Sequence, residues 1–90
     1  MIVYNKDFGF SSLDIENCNT LKELKDYKYN NYQTISKLEL REQDKIKSSR
    51  EGNDLENEFQ YIKIKKALIS MRLLDKIIEH QIENIKNNIV

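Results

Sequence analysis

The apolar positions after residue 54 repeat with the period of an α-helix, and they form two stripes. At about 100° per residue, six apolar residues from Leu55 to Ile77 share one side of the predicted helix. Nine others, from Ile64 to Ile89, lie roughly 150° away, and the last four alternate in spacing as in a packing seam. A helix that is apolar on two sides needs a neighbour on each side. The first stripe comprises Leu55, Phe59, Ile62, Ile69, Leu73 and Ile77, and the second comprises Ile64, Ala67, Leu68, Met71, Leu74, Ile78, Ile82, Ile85 and Ile89.

Two charged residues interrupt these stripes, Asp75 in the second and Lys66 near the first. One interpretation places each at a stripe edge, where the charged end reaches water. Lysine does this readily along its long stem, whereas aspartate is too short to do it well. The other interpretation is a buried charge that pairs across an interface and fixes its register. Because buried carboxylates are rare unless paired, we prefer the edge position and keep the register role of Asp75 as the alternative.

The preceding segment predicts another long helix, from residue 20 to 49. Thr20 and Glu23 have the spacing of a capping box, in which both side chains satisfy backbone donors at a helix start. Poor helix formers between residues 27 and 32 predict a kink or a local break. Polar residues interrupt the apolar side, so this helix covers less apolar surface than its successor. The apolar side comprises Leu21, Leu24, Tyr27, Ile35, Leu38 and Ile46, and the interruptions are Lys28, Asn31 and Glu42.

Residues 50–54 have the composition of a turn between these two helices. Gly52 supplies the left-handed conformation that ends many helices. Asn53 then caps the next helix, with Glu56 three residues later as its capping-box partner. The pattern predicts an all-α fold in a single domain of residues 1–90. Its body is a long antiparallel helical hairpin of residues 20–49 and 55–90.

Residues 1–19 predict a short extended clasp and a connection. Two small apolar runs, residues 2–4 and 8–10, flank a polar segment, which suggests a tiny hairpin too short to be stable alone. We expect this clasp to cover one end of the helices and to bury Phe8 and Phe10. The alternative is a strand offered to the sheet edge of a partner. One helical turn follows, capped by Ser11 or Ser12.

A hairpin of two helices buries too little apolar surface for a stable monomer, since so small a core rarely supplies more than ~3–5 kcal/mol. The first helix covers only one stripe of the second. We therefore expect a homodimer, most simply an antiparallel four-helix bundle with coiled-coil packing. The interface that we predict from the second stripe consists of Ile64, Leu68, Met71, Asp75, Ile78, Ile82 and Ile85.

Composition narrows the class of protein further. Hydrophobic residues make up 39% of the chain and charged residues 33%, with two glycines and no proline, which favours long helices over turn-rich sheets. Fifteen basic residues balance fifteen acidic ones, which weakens the case for a dedicated duplex-binding protein.

The chain has no apolar run long enough to span a membrane and no leader pattern. The single cysteine cannot form an internal disulfide, so we expect a cytoplasmic location.

The sequence offers little catalytic or metal-binding chemistry. His80 has Glu79 and Glu83 beside it, but a di-metal helical site needs a glutamate three residues before the histidine, where Ile77 stands. Cys18 is interpreted as a small buried hydrophobe, since a reactive thiol needs a neighbour that lowers its pKa. There is no glycine-rich phosphate loop. We therefore predict a non-enzyme without metal or cofactor.

The remaining patterns predict a small protein-binding module that acts as an inhibitor or an assembly adaptor. Tyr29 and Leu40 on the far side of the first helix, together with Phe8 and Phe10 of the clasp, are its candidate contacts. Frequent Asn, Ile, Lys and Tyr residues, all with AT-rich codons, suggest a phage-type accessory protein. The alternative is a dimeric nucleic-acid-binding regulator, although its basic side chains point in several directions. Those side chains are Lys63, Lys65, Lys66 and Arg72.

Overall fold

Two long helices packed side by side form the body of the protein. The computed structural model describes residues 2–51 and 55–88, and the side chains of residues 2–47 and 58–88. The rod measures 58 × 20 × 18 Å. The predicted helical hairpin is thereby confirmed, while the predicted turn at Gly52 and Asn53 lies outside the described residues. In chain order the elements are β1 (Tyr4–Asn5), β2 (Phe10–Ser11), α1 (Ser12–Glu16), α2 (Leu21–Glu51) and α3 (Leu55–Asn88).

Helix α2 begins directly after Thr20, where the capping motif predicts a start. It continues without a break through residues 27–32, so the expected kink or break is wrong. Intrinsic propensity is a weak term that tertiary packing overrides, and this segment packs closely through Tyr27 and Asn31. Within the described residues, neither long helix contains a stretch apolar enough to cross a bilayer.

The N-terminal clasp is a two-stranded antiparallel hairpin in which Tyr4 pairs with Ser11, and Asn5 with Phe10. Gly9 adopts a φ of 70° at the end of the loop, a left-handed conformation that glycine adopts without steric cost. Its N–H group donates to the Asn5 carbonyl oxygen at 2.9 Å. The expected hairpin is therefore present. From here on, the name clasp covers both this β-hairpin and the following helix α1, residues 2–17.

Helix α1 is the single capped turn that the sequence predicts. Ser11 is its N-cap residue, and the Ser11 N–H group donates to Asp14 Oδ2 at 2.8 Å. Two hydrogen bonds then join α1 to Val3, the residue directly before β1. Ser12 N–H donates to the Val3 carbonyl oxygen, and Val3 N–H donates to Ser12 Oγ. Cys18 lies in the connection between α1 and α2. Gln81 Nε2 donates to the Cys18 carbonyl oxygen at 2.9 Å, and this bond holds the connection against α3.

The second stripe of α3 lies inside the chain's own core. Leu68 and Ile78 are at most 1% exposed, and Ile64 and Met71 are also buried. This corrects the predicted dimer interface at Ile64, Leu68, Met71 and Ile78, because a side chain buried against its own chain cannot also face a second copy. The longer stripe gains more by burial, and contact within one chain avoids the entropy cost of association. The buried core comprises Val3, Phe10, Ile15, Cys18, Leu24, Ile64, Leu68, Met71, Leu74 and Ile78, and Ile82 and Ile85 pack partly buried against it.

A buried polar network joins the clasp to both long helices. The Asn5 side chain is fully buried, and its Nδ2 donates to Asn31 Oδ1 at 3.0 Å and to Thr34 Oγ1 at 3.1 Å. Asn31 Nδ2 in turn donates to the Met71 carbonyl oxygen of α3 at 2.9 Å. Asn5 Oδ1 accepts the N–H groups of Asp7 and Phe8. One asparagine therefore closes the hairpin loop and anchors it, since buried amides must find partners.

Candidate protein-interaction surface

Helix α3 exposes a row of large apolar side chains on the side opposite its buried stripe. These side chains, Phe59, Ile62, Ile69 and Leu73, are between 39% and 65% exposed, and we call them the outer stripe. Exposed apolar side chains scattered singly are ordinary, whereas several on one side of a helix make that side a candidate interaction surface. Because α2 and the clasp cover the buried stripe, the outer stripe is the part of α3 that its own chain leaves uncovered.

The outer stripe has the spacing of a coiled-coil seam. Phe59, Ile62, Lys66, Ile69 and Leu73 follow each other at alternating intervals of three and four residues, which places them at successive a and d positions of a heptad. At about 100° per residue they span roughly 80° of the helix circumference. A stripe of this width is typical of a coiled-coil seam, and Lys66 lies within it.

The charge around the outer stripe is strongly basic. Between residues 58 and 76 the acidic residues are Glu58, which is exposed beside the stripe, and Asp75, which is half-buried on another side of α3. Lys63 and Lys65 lie on opposite flanks of the stripe, about 160° apart. Lys65 Nζ lies 5.6 Å from the centre of the Tyr61 ring. The five exposed basic side chains of this segment are Lys63, Lys65, Lys66, Arg72 and Lys76, and within the described residues none of them has a carboxylate oxygen within 4.0 Å.

The predicted contact residues divide between surface and core. Tyr29 and Leu40 are exposed on α2, on the side of that helix away from the core and separate from the outer stripe. Phe10 is 3% exposed and its ring centre lies 4.7 Å from that of Tyr27, so its predicted contact role is wrong. Phe8 is 42% exposed, which corrects its expected burial and keeps it available as a contact.

Asp75 lies at the edge of the interface between α2 and α3. Burial raises the pKa of its carboxyl group, an effect that nearby Lys28 partly opposes. Lys28 Nζ donates to Glu79 Oε1 at 2.8 Å, and this bond lowers the pKa of Glu79. Lys28 therefore pairs with the exposed glutamate and leaves Asp75 without an ion-pair partner of its own in the described residues. This position agrees with the edge interpretation and gives Asp75 a small electrostatic cost at neutral pH.

Replacing Asp75 with asparagine is expected to raise the free energy of unfolding at pH 7 by about 0.5 kcal/mol. A carboxyl group whose pKa is higher in the folded state binds its proton more tightly there, so its charged form destabilises the fold above that pKa. The gain should disappear as pH falls and the wild-type carboxyl group becomes protonated. Urea denaturation of both proteins at pH 7 and pH 3.5 checks this. A wild-type chain that is the more stable of the two at pH 7 would contradict it.

Cys18 and His80 occupy different environments. Cys18 is buried, its Sγ lies 3.5 Å from Glu23 Oε2, and burial raises the pKa of the thiol. A raised pKa keeps the sulfur protonated, unlike a reactive cysteine. His80 is exposed on α3. Among the described residues, no three His, Cys, Asp or Glu side chains converge as metal ligands would.

Comparisons of the chain with known protein families, with curated proteins and with solved structures found no match. The function is therefore inferred from the surface of the molecule alone.

The sequence pattern indicates both stripes of α3, but it does not indicate the buried asparagines. Asn5 belongs to the polar segment between two apolar runs, and Asn31 interrupts the apolar side of the first long helix. Neither asparagine is set among apolar neighbours in the sequence, so no local signal indicated that the two side chains form a buried network.

Proposed function

We propose that this protein is a small non-enzymatic binding module whose contact surface is the outer stripe of α3. The supporting observation is the exposure of Phe59, Ile62, Ile69 and Leu73 in a chain whose other apolar stripe is already buried. Full burial of such a side chain from a fully exposed state is worth about 1.5–3 kcal/mol, and since these side chains are 39–65% exposed, covering each one gains roughly half of that. A partner that covers the whole stripe therefore gains enough to offset part of the cost of association.

The occupant of the stripe is a second copy of the chain or a different protein. With a second copy, two hairpins would meet through the outer stripes of their α3 helices and form a dimer, with a different interface from the one expected from the sequence. With a different protein, the module would act as an inhibitor or an assembly adaptor, in keeping with a phage-type accessory role. Tyr29, Leu40 and Phe8 lie exposed elsewhere on the rod and offer additional contacts to a larger target.

Nucleic-acid binding is the weaker candidate. Lys63, Lys65, Lys66 and Arg72 are all exposed, as such binding requires. Lys63 and Lys65 nevertheless lie on opposite flanks of an apolar row, whereas a track of phosphates is met by basic side chains on one face. A gel-shift series at rising salt distinguishes the candidates, since purely electrostatic binding falls steeply with salt.

Site-specific photo-crosslinking in the source cell tests the protein-binding proposal. A benzoylphenylalanine placed at Ile69 is expected to give a discrete protein adduct, because this side chain would be covered by the partner. The matched control places the same group at Gln43, an exposed position on α2, where no adduct above background is expected. The mass of the adduct separates a second copy from a different protein. Equal labelling at the two positions, or none at Ile69, would contradict the proposal.

A further inference from the structure

We infer that the occupant of the outer stripe is an amphipathic helix of another protein, with acidic residues on both sides of its own apolar seam. The inference rests on the proposed function and identifies the partner's chemistry. Its basis is the combination of a narrow heptad seam with five exposed cations around it. Each property restricts the partner in a different way.

The seam requires a facing helix. Its residues alternate at intervals of three and four and cover only about 80° of α3, which matches the knobs-into-holes contact of one helix with another. A helix that lies in a lipid interface has a broad apolar face, with its charges on the opposite side. Here Lys66 lies within the seam between Ile62 and Ile69. A nucleic-acid duplex, in turn, has no apolar strip with which to cover such side chains.

The basic side chains on the two flanks of the seam favour carboxylates on the facing helix of the partner. In a helix pair, the positions beside the seam carry the charges that select the partner. On α3 those positions are occupied by Lys63 and Ser70 on one side and by Glu58, Lys65 and Arg72 on the other, so both flanks carry a net positive charge. Within the seam, Lys66 can extend its ammonium group along its stem toward the same carboxylates. Opposite charges across an interface increase both the rate and the specificity of binding.

A second copy of α3 fits this surface poorly. In an antiparallel pair that sets Phe59 against Ile69 of the other copy, Lys63 and Lys65 each approach their own counterparts, and Glu58 approaches Arg72 of the other copy. In a parallel pair, Lys66 meets Lys66 inside the seam. Like charges opposed across an interface cost binding free energy. Because basic side chains outnumber Glu58 in the seam and on its flanks, the net charge of this surface disfavours pairing with a second copy.

Two synthetic peptides test the inference with the full chain. Both are helices of about 28 residues with leucine and isoleucine at the a and d positions. One carries glutamate at e and g, and the other carries lysine there, so each repels itself and stays monomeric. By fluorescence anisotropy, the glutamate peptide is expected to bind about tenfold or more tightly than the lysine peptide. Its affinity should fall as salt rises.

Charge-reversed variants locate the contact. Lys65→Glu combined with Arg72→Glu is expected to reverse the peptide preference, and both side chains are exposed, so folding should be retained by circular dichroism. The matched control, Lys22→Glu with Lys47→Glu on α2, makes the same change in net charge away from the seam and should keep the preference. Ile69→Glu should reduce binding of the glutamate peptide by about tenfold or more.

Four results would overturn the inference. They are equal affinity for the two peptides, binding of neither, tighter binding through Ile69 to phosphatidylglycerol vesicles or to a DNA duplex, and a dimer in light scattering that Ile69→Glu abolishes. The crosslinking result at Ile69 separates this inference from the proposed function. A partner adduct at Ile69 without a charge preference would reject the acidic helix alone, whereas the absence of an adduct counts against the binding module itself.

Discussion

Replacing Ile78 with alanine is expected to lower the free energy of unfolding by about 2–5 kcal/mol, whereas Ile69→Ala should change it by no more than about 0.5 kcal/mol. The two residues have the same side chain, lie on the same helix and differ in burial. Ile78 is fully buried among residues of α2, α3 and the clasp, and Ile69 is 65% exposed. The first substitution leaves a cavity in a packed core, while the second removes a side chain that contacts mainly water.

Urea denaturation followed by circular dichroism measures both free energies, at a concentration where light scattering shows one oligomeric state. Domains of this size have total stabilities of roughly 5–14 kcal/mol. The loss expected for the Ile78 variant is a large part of that total, so the variant should unfold at a clearly lower urea concentration than the wild-type chain. Similar losses from both substitutions would show that the two stripes are buried to the same extent. That result would reject the assignment of one stripe to the core and the other to the surface.

The second large effect is expected from the buried asparagines. Asn31→Ala should cost about 1–3 kcal/mol, because it removes both the acceptor of Asn5 Nδ2 and the donor to the Met71 carbonyl oxygen. One N–H of Asn5 Nδ2 then lacks an acceptor while the other keeps Thr34 Oγ1, and a buried donor without its acceptor costs more than the net gain of an ordinary hydrogen bond. Gln33→Ala, at an exposed position two residues away, is the matched control and should cost less than about 0.5 kcal/mol.

A double-mutant cycle with Asn5→Ala isolates the contribution of the pair. Because Asn5 and Asn31 are bonded directly to each other, the double variant should lose less than the sum of the single losses, by about 0.5–3 kcal/mol. Thermal and urea unfolding of the four proteins give this coupling free energy. Strict additivity would mean that the clasp is held by its apolar contacts alone, with no contribution from this bond.

The elements of the fold were largely predictable because they depend on local patterns. Helical periodicity and the Thr20 motif gave the start of α2, and the period of apolar residues gave α3 and its two sides. The serines at positions 11 and 12 similarly indicated a capped turn, and the structure shows that Ser11 is the cap of α1. The continuity of α2 through residues 27–32 was not predictable in this way, since tertiary contacts of Tyr27 and Asn31 override a low helix propensity.

The sequence by itself determined that α3 has two apolar sides and that one of them would remain uncovered by its own hairpin. Only the tertiary structure decided which side that is. Periodicity shows where apolar residues point relative to each other, but the choice between stripes depends on how much surface α2 and the clasp cover together. The clasp packs on the buried side of α3, with Val3, Phe10 and Ile15 in the same core as Met71 and Ile78. Asn5 anchors the clasp to Asn31 and Thr34 of α2. Hydrogen bonds between residues so far apart in the chain leave no periodic trace in the sequence.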